Sequence, residues 1–228
     1  MANYYNDKVL AKFQAALKEA TKEVKDGMIT SPTISTGNRK MGAVPSVSLL
    51  PFLTCPARCK DTCGGDCYAA KIANLYPAVL KSYARNTALA MYNPVAYWNG
   101  IDKAVKGARF FRFHVSGDII NGAYFENMVK VAANNPHCNI LAFTKRYEIV
   151  NTWIRKNGAL PENLKILFSA WDNLDPINPY NLPESIAFGN EGPAEDWKIC
   201  GGNCFECGCR GVGCWQAKKG DVIAFRKH

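Results

Sequence analysis

The sequence lacks the features that mark membrane, secreted and disordered proteins. It has no run near the roughly 20 apolar residues that a helix needs to span a bilayer. Residues 1–7 are polar, where a signal peptide would carry an apolar core. Hydrophobic residues make up 48% of the chain and charged residues 21%, a balance that excludes intrinsic disorder. We therefore expect a globular protein of the cytoplasm with no membrane partner.

Acidic residues are also in short supply. Lysine and arginine number 28 against 19 aspartates and glutamates, which leaves a formal net charge of +9. Such an excess favours a polyanionic partner, such as nucleic acid or a phosphate-bearing cofactor. Length sets a further limit, because 228 residues correspond to one domain with appendages.

Cysteine, by contrast, is abundant and clustered. Nine of the ten cysteines fall in two windows, which contain Cys55, Cys59, Cys63 and Cys67 and then Cys200, Cys204, Cys207, Cys209 and Cys214. Without an export signal, such clusters favour metal sites over disulfides. Neighbouring thiolates repel one another unless a cation or an iron–sulfur core neutralises them. The tenth, Cys138, stands in an apolar run and is expected to pack in a strand.

Hydrophobic periodicity predicts alternating helices and strands. Helices are expected at 6–26, in pieces over 68–107 that restart at Pro77 and Pro94, at 123–134 and at 148–156. Strands are expected at 47–50, 109–115, 139–143, 165–170, 185–188 and 222–225. Strands separated by helices indicate parallel βαβ units, and hence an α/β fold.

The expected architecture is a partial (β/α) barrel, because a complete eight-stranded barrel usually needs about 250 residues. An open doubly wound sheet is the competing arrangement. We divide the chain into an N-terminal helix and loop (1–45), a barrel with a cysteine loop (46–190) and a Cys-rich C-terminal lobe (191–228). Metal rather than a hydrophobic core would hold that lobe together.

The first cysteine window follows the first predicted strand, where parallel βα folds collect their chemistry. Three thiolates on one loop can hold three irons of a [4Fe-4S] cluster and leave the fourth iron open to another ligand. Four thiolates would close the site and favour electron transfer or structure, and zinc is the alternative metal. The second window leaves the same choice between iron–sulfur and zinc.

Polar and aromatic residues follow the later predicted strands. Lys145 and its neighbour Arg146 can bind phosphate or carboxylate, and Trp171 offers a stacking plane for adenine or a base. Solvated charge at Lys145 and core packing at Trp171 are the competing interpretations. Arg112 and His114 alternate onto one face of the second long strand and suggest a lined cavity, with residues 111, 113 and 115 facing the helices.

Several motifs together resemble the phage gene-product-eighty-eight family. They are NRKMG at 38–42, SLLPFLTCP at 48–56, CYA at 67–69, YARN at 83–86, FRFHVSGD at 111–118, FTKR at 143–146, CW at 214–215 and the terminal His228. The resemblance covers most of residues 37–228. That family in turn is distantly similar to radical SAM proteins, which carry a three-cysteine loop after the first strand of a partial βα barrel.

The resemblance implies ligands for two [4Fe-4S] clusters. Cys67 would be one ligand of the first cluster, joined by two of the other three cysteines in its window. The second cluster would be held by Cys200, Cys204, Cys207 and Cys214, with Cys209 spare. The usual radical SAM loop is CxxxCxxC with an aromatic residue before its last cysteine. Here three residues separate each pair of cysteines and Tyr68 follows the last, so the cofactor is implied by resemblance and not by spacing.

The resemblance also implies a binding site for S-adenosylmethionine. A small, acidic motif after the second strand touches the methionine amino group in radical SAM barrels. Asp118 would be the matching carboxylate here, with Ser116 and Gly117 beside it. A helix N-cap is the competing role for Asp118.

The leading hypothesis is a radical-SAM-like iron–sulfur enzyme that acts on a nucleotide or nucleic acid in the host cytoplasm. It would take electrons from a donor such as flavodoxin or ferredoxin. Two alternatives stay open. One is a metal-stabilised nucleic-acid-binding protein without catalysis, which the positive charge and the aromatics Tyr92, Tyr97 and Trp98 support. The other is an electron-transfer or redox-sensing protein.

Overall fold

The chain folds into helices and strands close to those that its periodicity predicts. The computed structural model describes residues 3–227, so the terminal His228 lies outside the described residues. The α-helices are α1 (Asp7–Lys25), α2 (Tyr68–Leu75), α3 (Pro77–Tyr92), α4 (Pro94–Lys106), α5 (Gly122–Asn134), α6 (Tyr147–Asn157) and α7 (Cys204–Cys209). The strands are β1 (Ser46–Val47), β2 (Phe110–Phe113), β3 (Asn139–Thr144), β4 (Leu164–Ser169), β5 (Glu184–Phe188), β6 (Lys198–Ile199) and β7 (Val222–Arg226). Short 3-10 helices cover Ala57–Lys60 and Gly213–Gln216.

The strands form one parallel sheet in the order β1-β2-β3-β4-β5-β7-β6. Every neighbouring pair is parallel, and the register aligns Val47 with Phe113 and Phe113 with Ala142. Within residues 3–227 no pairing joins β1 to β6, so the sheet is open. The predicted parallel α/β architecture is therefore confirmed. The first five strands follow chain order, without the reversal that defines a doubly wound sheet.

Local sequence signals explain where the helices begin. Asn6 caps α1, and its side-chain oxygen accepts a hydrogen bond from the backbone N–H of Val9 at 3.0 Å. Pro77 and Pro94 occupy the first turns of α3 and α4, where a missing N–H costs nothing. Both predicted restarts are confirmed. None of the helices in the described residues combines the length and the apolar character that a membrane span requires.

The sheet has an apolar layer on each face. Phe111 and Phe113 are fully buried among the helices, as their alternation predicts. Phe110 points to the other face and packs on Trp215, with ring centroids 5.0 Å apart. This second layer joins the sheet to the C-terminal lobe, and residues 191–228 also supply β6 and β7 to the same sheet.

Two short elements and one strand end differ from the sequence-based expectation. β6 and α7 have two and six residues, too few for a periodic signal. The predicted strand at 109–115 ends at Phe113, because His114 adopts a left-handed conformation with φ +55°. Cys138 is fully buried, directly before β3 rather than within it.

Candidate functional site

The first cysteine set, Cys55, Cys59, Cys63 and Cys67, lies in the loop between β1 and α2. Each of its members is a free thiol. Cys63 donates a hydrogen bond to Cys59, which donates in turn to Cys55. The bond to Cys55, together with burial, raises the pKa of Cys59 to about 12, and burial raises the pKa of Cys67 to about 11. The loop thus places adjacent thiols beyond the carboxyl end of a parallel strand.

Lys145 supplies a positive charge to this set. Its residue is only 8% exposed, and Nζ donates a hydrogen bond to Ser169 Oγ at 2.6 Å. The positive charge of Lys145 lowers the pKa of Cys59, Cys63 and Cys67, against the larger effects that raise them. The amine also lies 5.8 Å from the centroid of the Trp171 ring. Lys145, Trp171 and the first cysteine set are therefore neighbours, although they follow three different strands.

The carboxylate of Asp118 accepts hydrogen bonds from other groups of the protein. Its Oδ1 accepts hydrogen bonds from Thr144 Oγ1 at 2.5 Å and from the N–H of Ile119 at 2.7 Å. Oδ2 accepts from the N–H of Lys145 at 2.9 Å, and the N–H of Asp118 donates to Thr54 Oγ1 at 3.1 Å. Burial raises the pKa of Asp118. The carboxylate thus ties the segment after β2 to the end of β3, and the backbone N–H of Asp118 ties the same segment to the loop after β1.

Ser116 and Gly117 stabilise the same contact between the segment after β2 and the loop after β1. Ser116 Oγ donates to the carbonyl of Leu49 at 2.9 Å. Gly117 has φ +77°, and a Cβ at this position would lie 2.6 Å from Thr54 Oγ1 and 2.7 Å from Leu49 Cβ. Only glycine permits this conformation and this close contact. The SGD motif therefore fixes the segment that leads into the cysteine loop.

The competing N-cap role predicted for Asp118 is wrong. Asn121 caps α5, and its Oδ1 accepts a hydrogen bond from the N–H of Tyr124 at 2.9 Å. The helix therefore starts three residues later than an Asp118 cap would require.

The second cysteine set, Cys200, Cys204, Cys207 and Cys214, lies around α7 and the following 3-10 helix. All four are free thiols. Cys209 is also free, but it is exposed at the end of the helix. Arg112 Nη1 lies 3.7 Å from Cys204 Sγ, and the guanidinium stacks 4.7 Å from the Phe143 ring centroid. Burial raises the pKa of Cys214 to about 12, whereas Arg112 lowers it. Arg112 therefore places a positive charge beside the second set, as Lys145 does beside the first.

Trp215 packs against one side of the second set. It is 2% exposed, and its Nε1 donates a hydrogen bond to the carbonyl of Cys204 at 2.8 Å. The indole packs on Phe110 of the sheet within the same apolar cluster as the cysteines, so it joins the second set to the sheet.

Tyr68 joins the two cysteine sets, and the sequence analysis did not identify this role. Its hydroxyl donates a hydrogen bond to the carbonyl of Val115. Arg112, Cys67 and Cys204 all lie near enough to act on the pKa of this hydroxyl. Desolvation of the hydroxyl raises that pKa to about 12, although the residue as a whole is 50% exposed. The sets are separated by more than a hundred residues in sequence, yet Tyr68 lies near a member of each. In the sequence, the position of this aromatic residue directly after Cys67 could have indicated its contact with the cysteines.

A family comparison adds to this geometry. The family model described as Gene product 88 matches residues 9–191, well over half of the chain. The chain belongs to the Gene product 88 family. Comparison with curated proteins and with solved structures returned no significant match. In this Gene product 88 protein the matched region includes the first cysteine set, Asp118 and Lys145, and it ends before the second set.

In this Gene product 88 protein Arg112 and His114 lie on opposite faces of the sheet, so the prediction that they line one cavity together is wrong. The left-handed turn at His114 breaks the alternation of side chains. His114 Nε2 instead lies 3.0 Å from the hydroxyl of Tyr124, on the helical face of the sheet. Val115, predicted to face the helices, packs in the layer beside the second cysteine set. The two changes have one cause, the positive φ of His114.

In the part of this Gene product 88 protein that the structure describes, the thiols lie near one another but are not arranged to bind a single metal ion. Among residues 3–227, no group of three or more His, Cys, Asp or Glu side chains is placed to hold a metal ion. Binding of an inorganic group would therefore need the cysteine loops to adjust, or a group larger than one ion.

Proposed function

We propose that this chain is an iron–sulfur protein with two cysteine-ligated sites, and that it is a radical-SAM-like enzyme acting on a nucleotide or nucleic acid. The observation that carries the proposal is the position of the first cysteine set. Its four free thiols follow β1 at the carboxyl edge of a parallel sheet, where βα enzymes place their chemistry. Lys145, Trp171 and Tyr68 surround them with a cation and two aromatic rings.

The donor atoms suit a cluster of iron and sulfide. Thiolates are soft ligands that select iron–sulfur clusters, zinc and copper(I). A single zinc ion needs its ligands around one point, and the described residues offer no such point. A cubane cluster spreads its ligands over a larger framework. We therefore favour [4Fe-4S] at Cys67 with two of its three neighbours, and at the second set, with zinc as the alternative.

Arg112 also supports an inorganic group at the second set. Its Nε is buried and lacks a hydrogen-bond partner within the described residues. The same guanidinium lies 3.7 Å from Cys204 Sγ. A buried donor without an acceptor costs free energy, so an additional acceptor beside Cys204 would satisfy it. A sulfide or a cluster thiolate is such an acceptor.

The strand order supports the radical-SAM-like part of the proposal. β1 to β5 follow one another across the sheet, as successive βα units do in a segment of a (β/α) barrel. A reduced cluster, when bound, would supply an electron to a ligand at this edge, and S-adenosylmethionine is the cofactor we propose. Trp171 would stack on the adenine of that cofactor. Asp118 already accepts three hydrogen bonds from the protein and is buried, so we assign it first to holding the cysteine loop.

Anaerobic purification with iron and sulfide analysis tests the proposal. We expect brown protein with about eight iron and eight sulfide per chain. Cys67→Ser should halve both values, and Cys209→Ser should leave them unchanged. Addition of S-adenosylmethionine should change the electron paramagnetic resonance spectrum of the reduced protein. Colourless protein with stoichiometric zinc would overturn the iron–sulfur assignment, and an unchanged spectrum would overturn the radical one.

A metal-stabilised nucleic-acid-binding protein without catalysis is the second candidate. The net charge of +9 favours it. Under either candidate we place the protein in the host cytoplasm. The enzyme would also need an electron donor, such as flavodoxin or ferredoxin, which the binding protein would not.

A further inference from the structure

A cavity of about 610 Å³ opens between α1 and the end of α3. It is lined by Gln14, Leu17, Lys18, Thr21, Lys22, Lys25, Asp26, Leu53 and Tyr92. Its volume lies within the range of small-molecule sites, roughly 300–1,000 Å³. Neither of the proposed cysteine sites contributes a residue to it.

The cavity carries an excess of positive charge. Lys18, Lys22 and Lys25 recur at helical spacing and face it together, whereas Asp26 is its one acidic residue. Within residues 3–227 neither Lys18 nor Lys22 forms an ion pair. The nearby acid Glu23 is already engaged by Arg85, at 2.9 Å. Two unpaired ammonium groups are therefore available to an anionic ligand.

Tyr92 places an aromatic ring beside these lysines. The residue is 52% exposed, and the Lys25 ammonium lies 5.3 Å from its ring centroid. The sequence also suggested Tyr97 and Trp98 as nucleic-acid contacts, but both are buried. Aromatic platforms within a basic groove are the usual means of binding single-stranded nucleic acid, since every base has a flat face.

The cavity adjoins the start of the cysteine loop. Leu53 lines it and stands two residues before Cys55. Thr54, between them, is fixed to Asp118 by a hydrogen bond of 3.1 Å. A ligand in the cavity would therefore contact the segment that leads into the first cysteine set.

We infer that this cavity binds a nucleotide unit, with its phosphates on Lys18, Lys22 and Lys25 and its base on Tyr92. The ligand is a single-stranded nucleic acid or a free nucleotide, which share this chemistry. The inference deepens the proposed function and rests on its nucleotide substrate. Binding can nevertheless be measured separately from iron content and from catalysis.

Fluorescence anisotropy of a labelled oligothymidylate, titrated at several salt concentrations, tests the inference in the full-length protein. Each phosphate contact contributes a slope of about −0.7 to the logarithm of the binding constant against the logarithm of salt concentration. The triple variant Lys18→Gln/Lys22→Gln/Lys25→Gln should therefore lose about 2 from the magnitude of that slope. Tyr92→Ala should weaken binding at least about fivefold, and Tyr92→Phe should restore it.

The matched control replaces three exposed lysines outside the cavity, Lys8→Gln/Lys156→Gln/Lys219→Gln. It removes the same charge and should change the slope much less. Competition with ATP distinguishes the two sources of the ligand, because a free-nucleotide site would release the labelled strand and a strand-specific site would not. Either result supports the inference.

Equal slopes and affinities for the triple variant and the control would overturn the inference, and would leave the proposed iron–sulfur sites untouched. If the unaltered protein bound neither oligothymidylate nor ATP, the inference and the nucleotide substrate would both be overturned. Iron and sulfide analysis of the same preparation shows separately whether the cysteine sites are loaded.

Discussion

The substitution Asp118→Asn tests whether this carboxylate holds the cysteine loop in place. The carboxylate accepts three hydrogen bonds, from Thr144 Oγ1, from the N–H of Ile119 and from the N–H of Lys145. Asparagine keeps one acceptor oxygen and turns an NH₂ group toward one of these donors. If that oxygen serves Thr144 and Ile119, the buried N–H of Lys145 loses its acceptor. An unsatisfied buried donor costs about 1–3 kcal/mol, and this is the expected loss of unfolding free energy.

The pH dependence of this effect has a definite sign. Burial raises the pKa of Asp118, so the native state binds a proton more tightly than the unfolded state does. Stability from this group is complete below the unfolded pKa and is lost as pH rises through the folded pKa. The asparagine variant lacks this dependence. The difference in stability between the two proteins should therefore shrink as pH rises over that interval.

Urea unfolding under anaerobic, reducing conditions measures both effects. Asp172→Asn is the matched control, because the Asp172 side chain is 55% exposed and pairs with Lys227 at the surface. Exposed ion pairs contribute about 0–1 kcal/mol, so this variant should unfold almost as the parent does. If Asp118→Asn changed stability no more than the control does, the carboxylate would not be a structural tie. It would then be free for the ligand-binding role that the family resemblance implies.

Three further predictions concern stability. Gly117→Ala should cost about 2–4 kcal/mol, because alanine is strained at φ +77° and its Cβ would approach Thr54 Oγ1 to 2.6 Å. Gly122→Ala, with open space around its Cβ, should be neutral or stabilising in the same denaturant titration. Trp215→Ala should cost about 3–5 kcal/mol, since the indole is 2% exposed, and a loss under 1 kcal/mol would contradict its role in joining lobe and sheet. Glu23→Gln should cost about 1 kcal/mol at neutral pH, because the Arg85 side chain of this ion pair is 36% exposed although that of Glu23 is 17% exposed. The hydrogen bond from Arg85 lowers the pKa of Glu23, so the difference from the parent should vanish as pH falls through that pKa, and thermal melts at neutral and acidic pH would check this.

The sequence by itself determined the main elements of the fold. Proline at the first turns of α3 and α4, and the cap of α1, are local effects, so the helix starts could be predicted residue by residue. Alternation of strands with helices made the sheet parallel, because only a crossover of a dozen or more residues returns the chain to the same edge. The clustering of cysteines into two windows could also be read directly from the sequence. The free state of their thiols follows the prediction that they would not form disulfides.

Only the tertiary structure decided what these residues touch. It placed Tyr68 close to Arg112, Cys67 and Cys204, although the two cysteine sets are far apart in sequence. A single left-handed residue, His114, separated its side chain from that of Arg112, and no periodicity reveals a backbone angle. Asp118 could be recognised as a polar residue after a strand. Two of its three hydrogen-bond donors, Thr144 and Lys145, lie at the end of β3, so these contacts could be seen only in the folded chain.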